Sequence, residues 1–512
     1  MIWKIAQKEF LLNLMTFKFV VGTVVCIVLT SVFVPVLAKE YQQKLKAYNE
    51  NVATNEGKLR QVVVYKDLAP TIYQPPALLS VFCEGLARHM GNSAKVDLSS
   101  VPEIDPAPAN VNPFLCIFPT LDLSLVFKVV ISLLALLVAY DAASGERERG
   151  TLKLTLSNPA ARHEVLLGKL LAGLLTLVVP VTVTFLVALL ILGLFPMIDL
   201  NASDWVRIGL LYVASLVFVA ALYNIGLLFS CVVRSSAVSL VLGLFSWVLF
   251  VIVIPNGGVY LARRVHTLEP KQKMESQLAA LREAEERERR ELQKQLTPEG
   301  SAGWESDEGS PFGGWYPLLC TPSGAIYRQK QYALLNPLQI RYVDKYWEVR
   351  RTYLAALIRQ GELVNNVSRV SPICLYGNVA AALAGTDRAG VESFLDGVRA
   401  YRERIIEYMR ARTDNFSAPS YFTPSTPEER IEFEKCVQIE DREASHQRSQ
   451  QLRNKVTSRI VPLELRDLPR FVGALGTAES LRRALPDLAL LIVLNALFFA
   501  LSFVAFLRYD VR

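Results

Sequence analysis

The chain has 512 residues, of which 52% are hydrophobic and 20% charged. Its mean hydropathy of +0.28 is too high for an ordinary soluble protein, because the apolar residues are concentrated in blocks that could cross a bilayer. The formal net charge of +7 does not indicate a nucleic-acid partner, since the basic residues are scattered and alternate with acidic ones.

Six apolar blocks of about 20 residues divide the sequence, and each is long enough to cross a bilayer as a helix. They predict a mainly α, polytopic membrane protein with transmembrane helices at 18–38, 122–140, 170–195, 206–230, 237–254 and 487–507. Polar residues inside the blocks are few and mild, such as Asn224 and Asn495. A proton or ion relay normally carries Asp, Glu or His inside its spans, so the pattern does not favour a relay.

Residues 1–17, which precede the first span, mix Trp3 and other apolar residues with lysines. This pattern predicts an amphipathic helix that lies in the membrane interface and contacts lipid. The alternative is a secretory signal peptide, because Val36-Leu37-Ala38 loosely resembles a cleavage site. The long apolar block and the amphipathic leader favour the interfacial helix.

Lysine and arginine in the short connections predict the orientation of the spans. The connections after the second and fourth spans and the tail 508–512 carry basic residues, among them Arg147, Arg234 and Arg512. With six spans, these regions and the N-terminus share one side. We therefore expect a multi-pass protein of the bacterial cytoplasmic (inner) membrane with cytoplasmic N- and C-termini. Arg263-Arg264 favour the opposite orientation of the spans, but they lie at the start of a very long loop, where the rule is weak.

Two large segments, 39–121 and 255–486, are expected on the extracytoplasmic side. The first starts as a polar helical extension and becomes rich in proline near its end. The second is long enough for a core of its own, and its patterns are mostly helical. One of them is an amphipathic helix that begins after Thr386-Asp387, a helix-capping pair.

A charged run at 268–296 nearly keeps the heptad spacing of a coiled coil. Glu285 and Glu288 occupy positions where a coiled-coil seam needs apolar side chains. The run therefore predicts a single solvated helix, with a coiled coil as the alternative. A later aromatic stripe, which includes Tyr342 and Trp347, fits core packing better than a ligand platform.

The most polar short connection is the segment 141–169, between the second and third spans. Gly145 and Gly150 flank a Glu-Arg-Glu-Arg run and are expected to be flexible points around a charged turn. The stretch Glu146–Leu156 predicts a short helix across the membrane face, although its alternating leucines also fit a strand. Asn158-Pro159 predicts the start of the next helix.

Few residues point to catalysis or to a bound metal or cofactor. Gly145 and Gly150 have the spacing of two phosphate-loop glycines, but Thr-Leu follows them where Lys-Ser or Lys-Thr is needed. ATP-driven work would therefore need another chain. The seven cysteines form no Cys-x-x-Cys pair; a Cys83–Cys116 disulfide and free buried thiols are both compatible with the spacing.

The segment 141–169 resembles the signature of ABC-2 type permeases, the membrane subunits of ATP-binding-cassette exporters. The matching residues are Asp141 at the end of the span, Gly145–Leu152, Ser157–Arg162 and Leu166–Lys169. The resemblance implies two copies of a separate ATPase, which binds ATP-Mg, and a second permease chain in a homodimer. It also implies that the coupling residues are Gly145, Glu146, Arg147, Glu148, Arg149, Gly150, Thr151, Leu152 and Arg162.

A looser resemblance concerns the large segment between the fifth and sixth spans. Ser371-Pro372 and Leu383–Asp387 are similar to motifs of large-ectodomain permeases tied to gliding motility and copper-enzyme maturation. Typical family members have a much smaller loop here. The enlarged segment leaves room for a periplasmic partner.

The resemblance implies a permease subunit that moves an unidentified substrate out of the cytoplasm or inner leaflet. The alternative is a non-transporting anchor or mechanotransmitter that relays ATPase motion to a periplasmic partner. A receptor is disfavoured because neither terminus carries a signalling domain. For the segment 141–169, the alternative to a coupling role is an ordinary loop between two spans. In the coupling hypothesis, Glu146 and Glu148 meet basic groups of the ATPase or cap the short helix.

Overall fold

A computed structural model describes residues 2–85, 92–102, 122–152, 161–265, 271–296, 322–413, 416, 426–439, 441–458, 461–471, 473 and 476–508. In these ranges the protein is almost entirely helical, with one two-stranded antiparallel sheet. Strand β1 (Thr71–Tyr73) pairs with β2 (Ser93–Lys95), and Ile72 lies opposite Ala94.

The helices are numbered in chain order. They are α1 (Ile2–Leu14), α2 (Phe17–Leu59), α3 (Leu123–Leu125), α4 (Ser132–Ala139), α5 (Ser144–Glu148), α6 (Arg162–Gly193), α7 (Ala202–Val232), α8 (Ser236–Val248), α9 (Ile254–Val265), α10 (Lys271–Lys294), α11 (Pro322–Ser368), α12 (Pro372–Ala384), α13 (Arg388–Arg410), α14 (Pro427–Val437), α15 (Arg442–Thr457) and α16 (Thr477–Leu507). Two π-helical stretches, Val126–Ile131 and Leu249–Val253, join α3 to α4 and α8 to α9.

Among the described helices, six are long and apolar enough to cross a membrane. They are Phe17–Leu59, Leu123–Glu148, Arg162–Gly193, Ala202–Val232, Ser236–Val265 and Ala478–Leu507. The predicted fold class, a polytopic and mainly α membrane protein, is confirmed.

Several helices extend beyond the apolar blocks that mark the predicted spans. The first continues to Leu59, in line with the polar helical extension predicted after residue 38, while the fifth continues to Val265 and the sixth begins at Thr477. The third begins at Arg162, eight residues before the apolar block. Hydropathy marks the apolar part of a helix, and polar turns can prolong a helix that is already nucleated.

The membrane-spanning region has two ends that face opposite ways. We call the end with α1 and residues 141–169 the loop side. The end with the residues between α2 and α3 and between α9 and α16 is the domain side.

The spans pack closely where small residues meet large ones. A Cβ placed on Gly173 would lie 2.1 Å from the ring of Tyr223, so α6 and α7 touch through glycine. The two mild polar residues singled out in the sequence meet here, because the Asn224 amide donates to Asn495 Oδ1 at 3.0 Å. A paired amide avoids the cost of an unsatisfied polar group in hydrocarbon.

The two predicted outer segments share one core. Residues of the first segment, including Leu68 and Ile72, are buried with Phe394 and Tyr401 of α13. The guanidinium of Arg402 is buried among them and donates to the carbonyls of Asp97 and Leu98, both at 3.1 Å, and to Asp344. The second segment therefore does not form its core alone.

The sequence predicted a single solvated helix for the charged run. The described part of the run, residues 271–296, does not form one. α10 packs along α11, with Leu278 buried between them. Glu288 forms an ion pair with Arg341 and accepts a hydrogen bond from Tyr342, and Glu285 accepts one from Tyr346. The glutamates that break the heptad pattern thus form a polar seam with the partner helix.

Helix α12 belongs to the outer part of the sequence but is buried against the spans. Pro372 stands in its first turn after Ser371, and Gly385 ends it with a φ of 72°, a left-handed conformation that glycine adopts without steric cost. Its apolar residues, among them Leu375 and Val379, belong to the same core as the spans. The motif between Ser371 and Gly385 therefore marks the start and end of a buried helix.

Candidate functional site

The helix α5 (Ser144–Glu148) occupies the centre of the predicted coupling segment. It follows α4 after a short turn, and Ser144 and Gly145 are buried. A Cβ on Gly145 would lie only 3.2 Å from the Cβ of Asp141. Gly145 is therefore needed for close packing inside a helix and is not the flexible point that the sequence predicted.

The segment turns at Gly150, whose φ of +73° lies in the left-handed region. Residues with a Cβ are strained there, so the sequence needs glycine at this point. Glu148, Arg149, Gly150 and Thr151 are exposed, whereas Leu152 is buried in the core of the spans. We call the exposed residues 148–151 the tip of the segment.

The start of α5 is held by the end of α7. The Ser230 hydroxyl accepts hydrogen bonds from the backbone N–H groups of Ala143 at 2.9 Å and Ser144 at 3.0 Å. All three residues are fully buried. These are first-turn amides that no intrahelical carbonyl can satisfy, so Ser230 replaces the missing cap.

A buried lysine joins α5 to two other helices. Lys169 of α6 forms ion pairs with Glu146 at 2.8 Å and with Glu9 of α1 at 3.0 Å. The Lys169 side chain is only 2% exposed, whereas the two glutamates are 24% and 21% exposed. A buried charge of this kind is tolerated because it is paired on both sides.

The remaining charges of α5 bind the connection between α7 and α8. Arg147 donates to the carbonyl of Val233 at 3.2 Å. Glu148 accepts hydrogen bonds from the backbone N–H of Ser236, at 3.1 Å, and from its hydroxyl. Because Ser236 begins α8, the carboxylate lies at the positive end of a helix dipole.

The structure gives both glutamates partners within the chain. Glu146 pairs with Lys169, and Glu148 caps α8 rather than its own helix. Contact of these acids with basic groups of an ATPase stays a prediction. The acids of the segment hold the segment in place.

A second ion pair fastens the end of the second span. Lys18 of α2 lies 2.9 Å from Asp141, donates to the carbonyl of Leu137 at 3.2 Å and lies over the ring of Tyr140. Asp141 is the acidic residue that ends the span in the predicted signature. Its role here is to tie α4 to α2.

The end of the coupling segment is anchored to the last helix and to α1. Arg162 donates to the carbonyl of Leu507, at the end of α16, at 2.7 Å. A Cβ on Gly168 would lie 2.8 Å from Ile5, so this glycine lets α1 approach α6 closely. The Leu166–Lys169 motif therefore supplies a close contact and a buried charge to the same helix pair.

Some predictions fall on residues outside the described ranges. Leu154, Leu156, Asn158 and Pro159 are among them, so the choice between helix and strand remains a prediction. Ala161 is extended, with a ψ of 143°, so α6 begins at Arg162 and not at the predicted Pro159. Cys83 is buried, but Cys116 is not described and the disulfide stays a prediction.

Sequence reasoning missed four residues that complete the site. Glu9 was assigned only to the amphipathic leader, Lys18 is the first residue of the predicted first span, and Ser230 and Ser236 lie in or beside apolar spans. Oppositely charged residues near the ends of two predicted helices are a signal of an ion pair that a sequence can supply. Two isolated serines give no such signal. Within the described residues, no group of three or more His, Cys, Asp or Glu is placed to hold a metal ion.

The fold and this site define a multi-pass membrane protein that holds one short helix rigidly at the loop side. The chain belongs to the ABC-2 family of transporter proteins, whose family model matches residues 3–386. A family model for a domain of unknown function, DUF3526, matches residues 334–452. Membership implies that the chain is the membrane component of an ABC transporter and that an ABC ATPase is its partner.

Two curated relatives are similar over shorter stretches. The chain is 38% identical over 130 residues to a probable ABC transporter permease protein NosY of Stutzerimonas stutzeri, a match that covers 24% of this chain and 44% of the relative. It is 47% identical over 68 residues to a probable ABC transporter permease protein NosY of Pseudomonas aeruginosa, covering 13% and 25%. The chain thus matches less than half the length of each relative.

Proposed function

We propose that this chain is the permease subunit of an ABC exporter in a bacterial cytoplasmic membrane. Two copies would form a homodimer and would work with two copies of an ABC ATPase, which carries ATP-Mg. The exported substrate would leave the cytoplasm or the inner leaflet. Family membership and the basic residues of the loop side support this proposal.

One observation carries the coupling mechanism. α5 is joined to α1 and α6 through Lys169, to α7 through Ser230 and to α8 through Glu148, while its tip is exposed. A force on the tip therefore acts on four helices at once. The ATPase would dock on the tip, and its closure on ATP would move the spans as a connected group.

Replacing Ser230 with Ala tests this mechanism. The substitution leaves two buried N–H groups without an acceptor, and each costs about 1–3 kcal/mol. α5 should loosen while the spans stay inserted. In the reconstituted complex, the ATPase should still bind, but the permease should no longer alter its rate of ATP hydrolysis. Unchanged stimulation by the S230A variant would contradict the mechanism.

A cysteine-labelling experiment tests the orientation. In a variant without native cysteines, Ser276→Cys on α10 should react with an impermeant thiol reagent in intact cells. Thr151→Cys at the tip should react only after the cells are opened. Both positions are exposed, so accessibility in the protein is matched. The reverse labelling would place the tip outside and would remove the basis for ATPase coupling.

A second candidate function is a mechanotransmitter that moves a periplasmic partner without transport. The observation that favours it is α12, which carries the outer domain into the core of the spans. A map of the ATP-driven complex would separate the two functions. A continuous path or a bound substrate at the axis between two copies would support export, and a closed axis in every nucleotide state would support the mechanotransmitter.

A further inference from the structure

In the described part of the loop side, every acidic residue is engaged within the chain. In the described ranges 2–18, 141–152, 161–169, 233–236 and 508, there are nine Lys and Arg but five Asp and Glu. The five acids are bound as ion pairs or helix caps: Glu9 and Glu146 to Lys169, Asp141 to Lys18, Glu148 to Ser236 and Glu164 to the N–H of Ala161.

Two exposed arginines, one at the tip and one in the neighbouring connection between α7 and α8, are in the opposite situation. Arg149 and Arg234 are exposed, and among the described residues neither forms an ion pair with an acidic side chain. They flank the contact between α5 and the connection to α8, because Arg147 donates to Val233 and Arg234 follows it. The unpaired charge that the tip offers to a partner is therefore positive.

The surroundings of these arginines distinguish a protein partner from a lipid surface. Membrane-binding cations usually lie beside exposed apolar side chains. This holds for α1, where the exposed Lys4 and Lys8 lie on a helix with the exposed Trp3 and Leu11. The tip exposes Glu148, Arg149, Gly150 and Thr151, none of them apolar, whereas Arg234 follows the exposed Val232 by two residues. The tip thus has the composition of a polar protein contact.

We propose that the ABC ATPase receives the tip in an acidic groove, whose carboxylates pair with Arg149 and Arg234. This inference rests on the proposed function, because it assumes that an ATPase docks here. It reverses the charge relation that the sequence suggested, in which acids of this chain meet bases of the partner. Arginine suits the task because its planar guanidinium pairs with carboxylates in a fixed geometry.

An electrostatic contact between the arginines and the ATPase would affect how the affinity of the two proteins depends on salt. Complementary charges at the rim of an interface raise the association rate, and salt weakens them because it screens exposed charges. The ATPase should therefore bind more weakly as ionic strength rises. Reversing both arginines should invert the salt dependence that these contacts contribute, because carboxylates then face carboxylates and salt screens their repulsion.

The first step of the experiment identifies the partner surface. A photo-crosslinking amino acid at Thr151 of the full chain is irradiated in cells, and the crosslinked peptide is sequenced. The expected product is an ABC ATPase linked through an acidic stretch. Crosslinks to no ATPase would overturn the proposed function. A crosslink to an ATPase stretch without acidic residues would leave the proposed function in place and would overturn the acidic groove.

The second step uses that purified ATPase and the detergent-solubilised permease. The double variant R149E/R234E should bind about tenfold or more weakly than the parent at low salt, and acid-to-lysine changes in the crosslinked stretch should restore binding. The matched control is R263E/R264E at the domain side, which has the same charge change at exposed positions and should bind normally. Equal affinity of all three proteins would overturn the proposal. So would normal ATPase binding together with lost binding of the double variant to phosphatidylglycerol vesicles, which would assign the arginines to lipid.

Discussion

Two short helices, α5 and α12, contact α7 near its C-terminal end and near its middle, and are held mainly by different forces. α5 is fixed by ion pairs and by the Ser230 hydroxyl. α12 is packed through apolar contacts around Tyr376, whose ring stacks on Phe218 with centroids 4.5 Å apart. Hydrogen bonds accompany that packing, among them the one between Tyr376 and Ser215 of α7 at 3.0 Å and those from Asn378 to Asn365 and from Ser371 to the carbonyl of Phe250.

The difference concerns direction. The hydrogen bonds within the ion pairs are directional, so they fix the orientation of α5. Apolar packing is non-directional and resists separation, because it is part of the close-packed core. In the proposed coupling, α5 would receive the force of the ATPase in a fixed orientation, and α12 attaches the outer domain to the spans.

The largest loss of stability is expected from the substitution of Lys169 at the loop side. Lys169→Met leaves Glu9 and Glu146 without their cation, and breaking a buried pair costs about 3–5 kcal/mol. We expect a marked fall in the melting temperature in detergent and loss of coupling to the ATPase.

A matched variant separates charge from packing at this site. The triple variant Glu9→Gln, Glu146→Gln and Lys169→Met removes all three charges and should recover much of the melting temperature. If the single variant were as stable as the parent, the ion pairs would not be what holds α5.

An intermediate effect is expected at the apolar end. Tyr376→Phe keeps the stacked ring and removes the hydrogen bond to Ser215, which contributes about 0.5–1.5 kcal/mol. The melting temperature should fall slightly, and Ser215→Ala should add little to the Tyr376→Phe variant. A loss as large as that of Lys169→Met would mean that α12 also depends on a polar contact.

The smallest effect concerns the outer hairpin of α10 and α11, far from both ends. Hydrogen bonds from Arg341 and Tyr342 lower the pKa of Glu288. A carboxylate with a lowered folded-state pKa stabilises the folded state above its unfolded pKa and loses that contribution as the pH falls through the folded value. Protection of the hairpin amides from hydrogen exchange, measured relative to the intrinsic exchange rate at each pH, should therefore fall on acidification below about pH 4.3, the ordinary glutamate value.

Glu288→Gln is the control for the hairpin. The amide cannot titrate, so the protection of the hairpin amides in this variant should depend less on pH over the same range. Identical pH profiles of the parent and the variant would show that the seam does not depend on this carboxylate.

The membrane architecture could be predicted from the sequence because spans need long apolar blocks. The segment 141–169 was also singled out, since its charges stand out between two such blocks, and its coupling role stays a prediction. The partners of those charges were not found, because Glu146 meets Lys169 and Glu9 only after α1, α5 and α6 have packed. Pairing across helices is set by tertiary geometry, which one sequence does not display.

The outer domain shows the same limit. The capped helix α13 was predicted from its pattern and is present, with Asp387 accepting from the N–H of Gly390. The burial of α12 among the spans was not predicted. Its 13 residues are too few to cross a bilayer, so hydropathy alone cannot show that it enters the membrane core.

The contacts of Tyr223 and Asn224 hold α7 at a point between Ser215 and Ser230. Tyr223 lies against Gly173 and donates to the carbonyl of Lys169, and Asn224 is paired with Asn495. At 1.5 Å per residue, Ser215 lies about 13 Å to one side of this point and Ser230 about 10 Å to the other. A tilt of α7 by roughly 10° about this point would shift the two serines by about 2 Å in opposite directions. In the proposed coupling, a push by the ATPase near Ser230 would therefore become an opposite displacement of Ser215 and of α12, which contacts it.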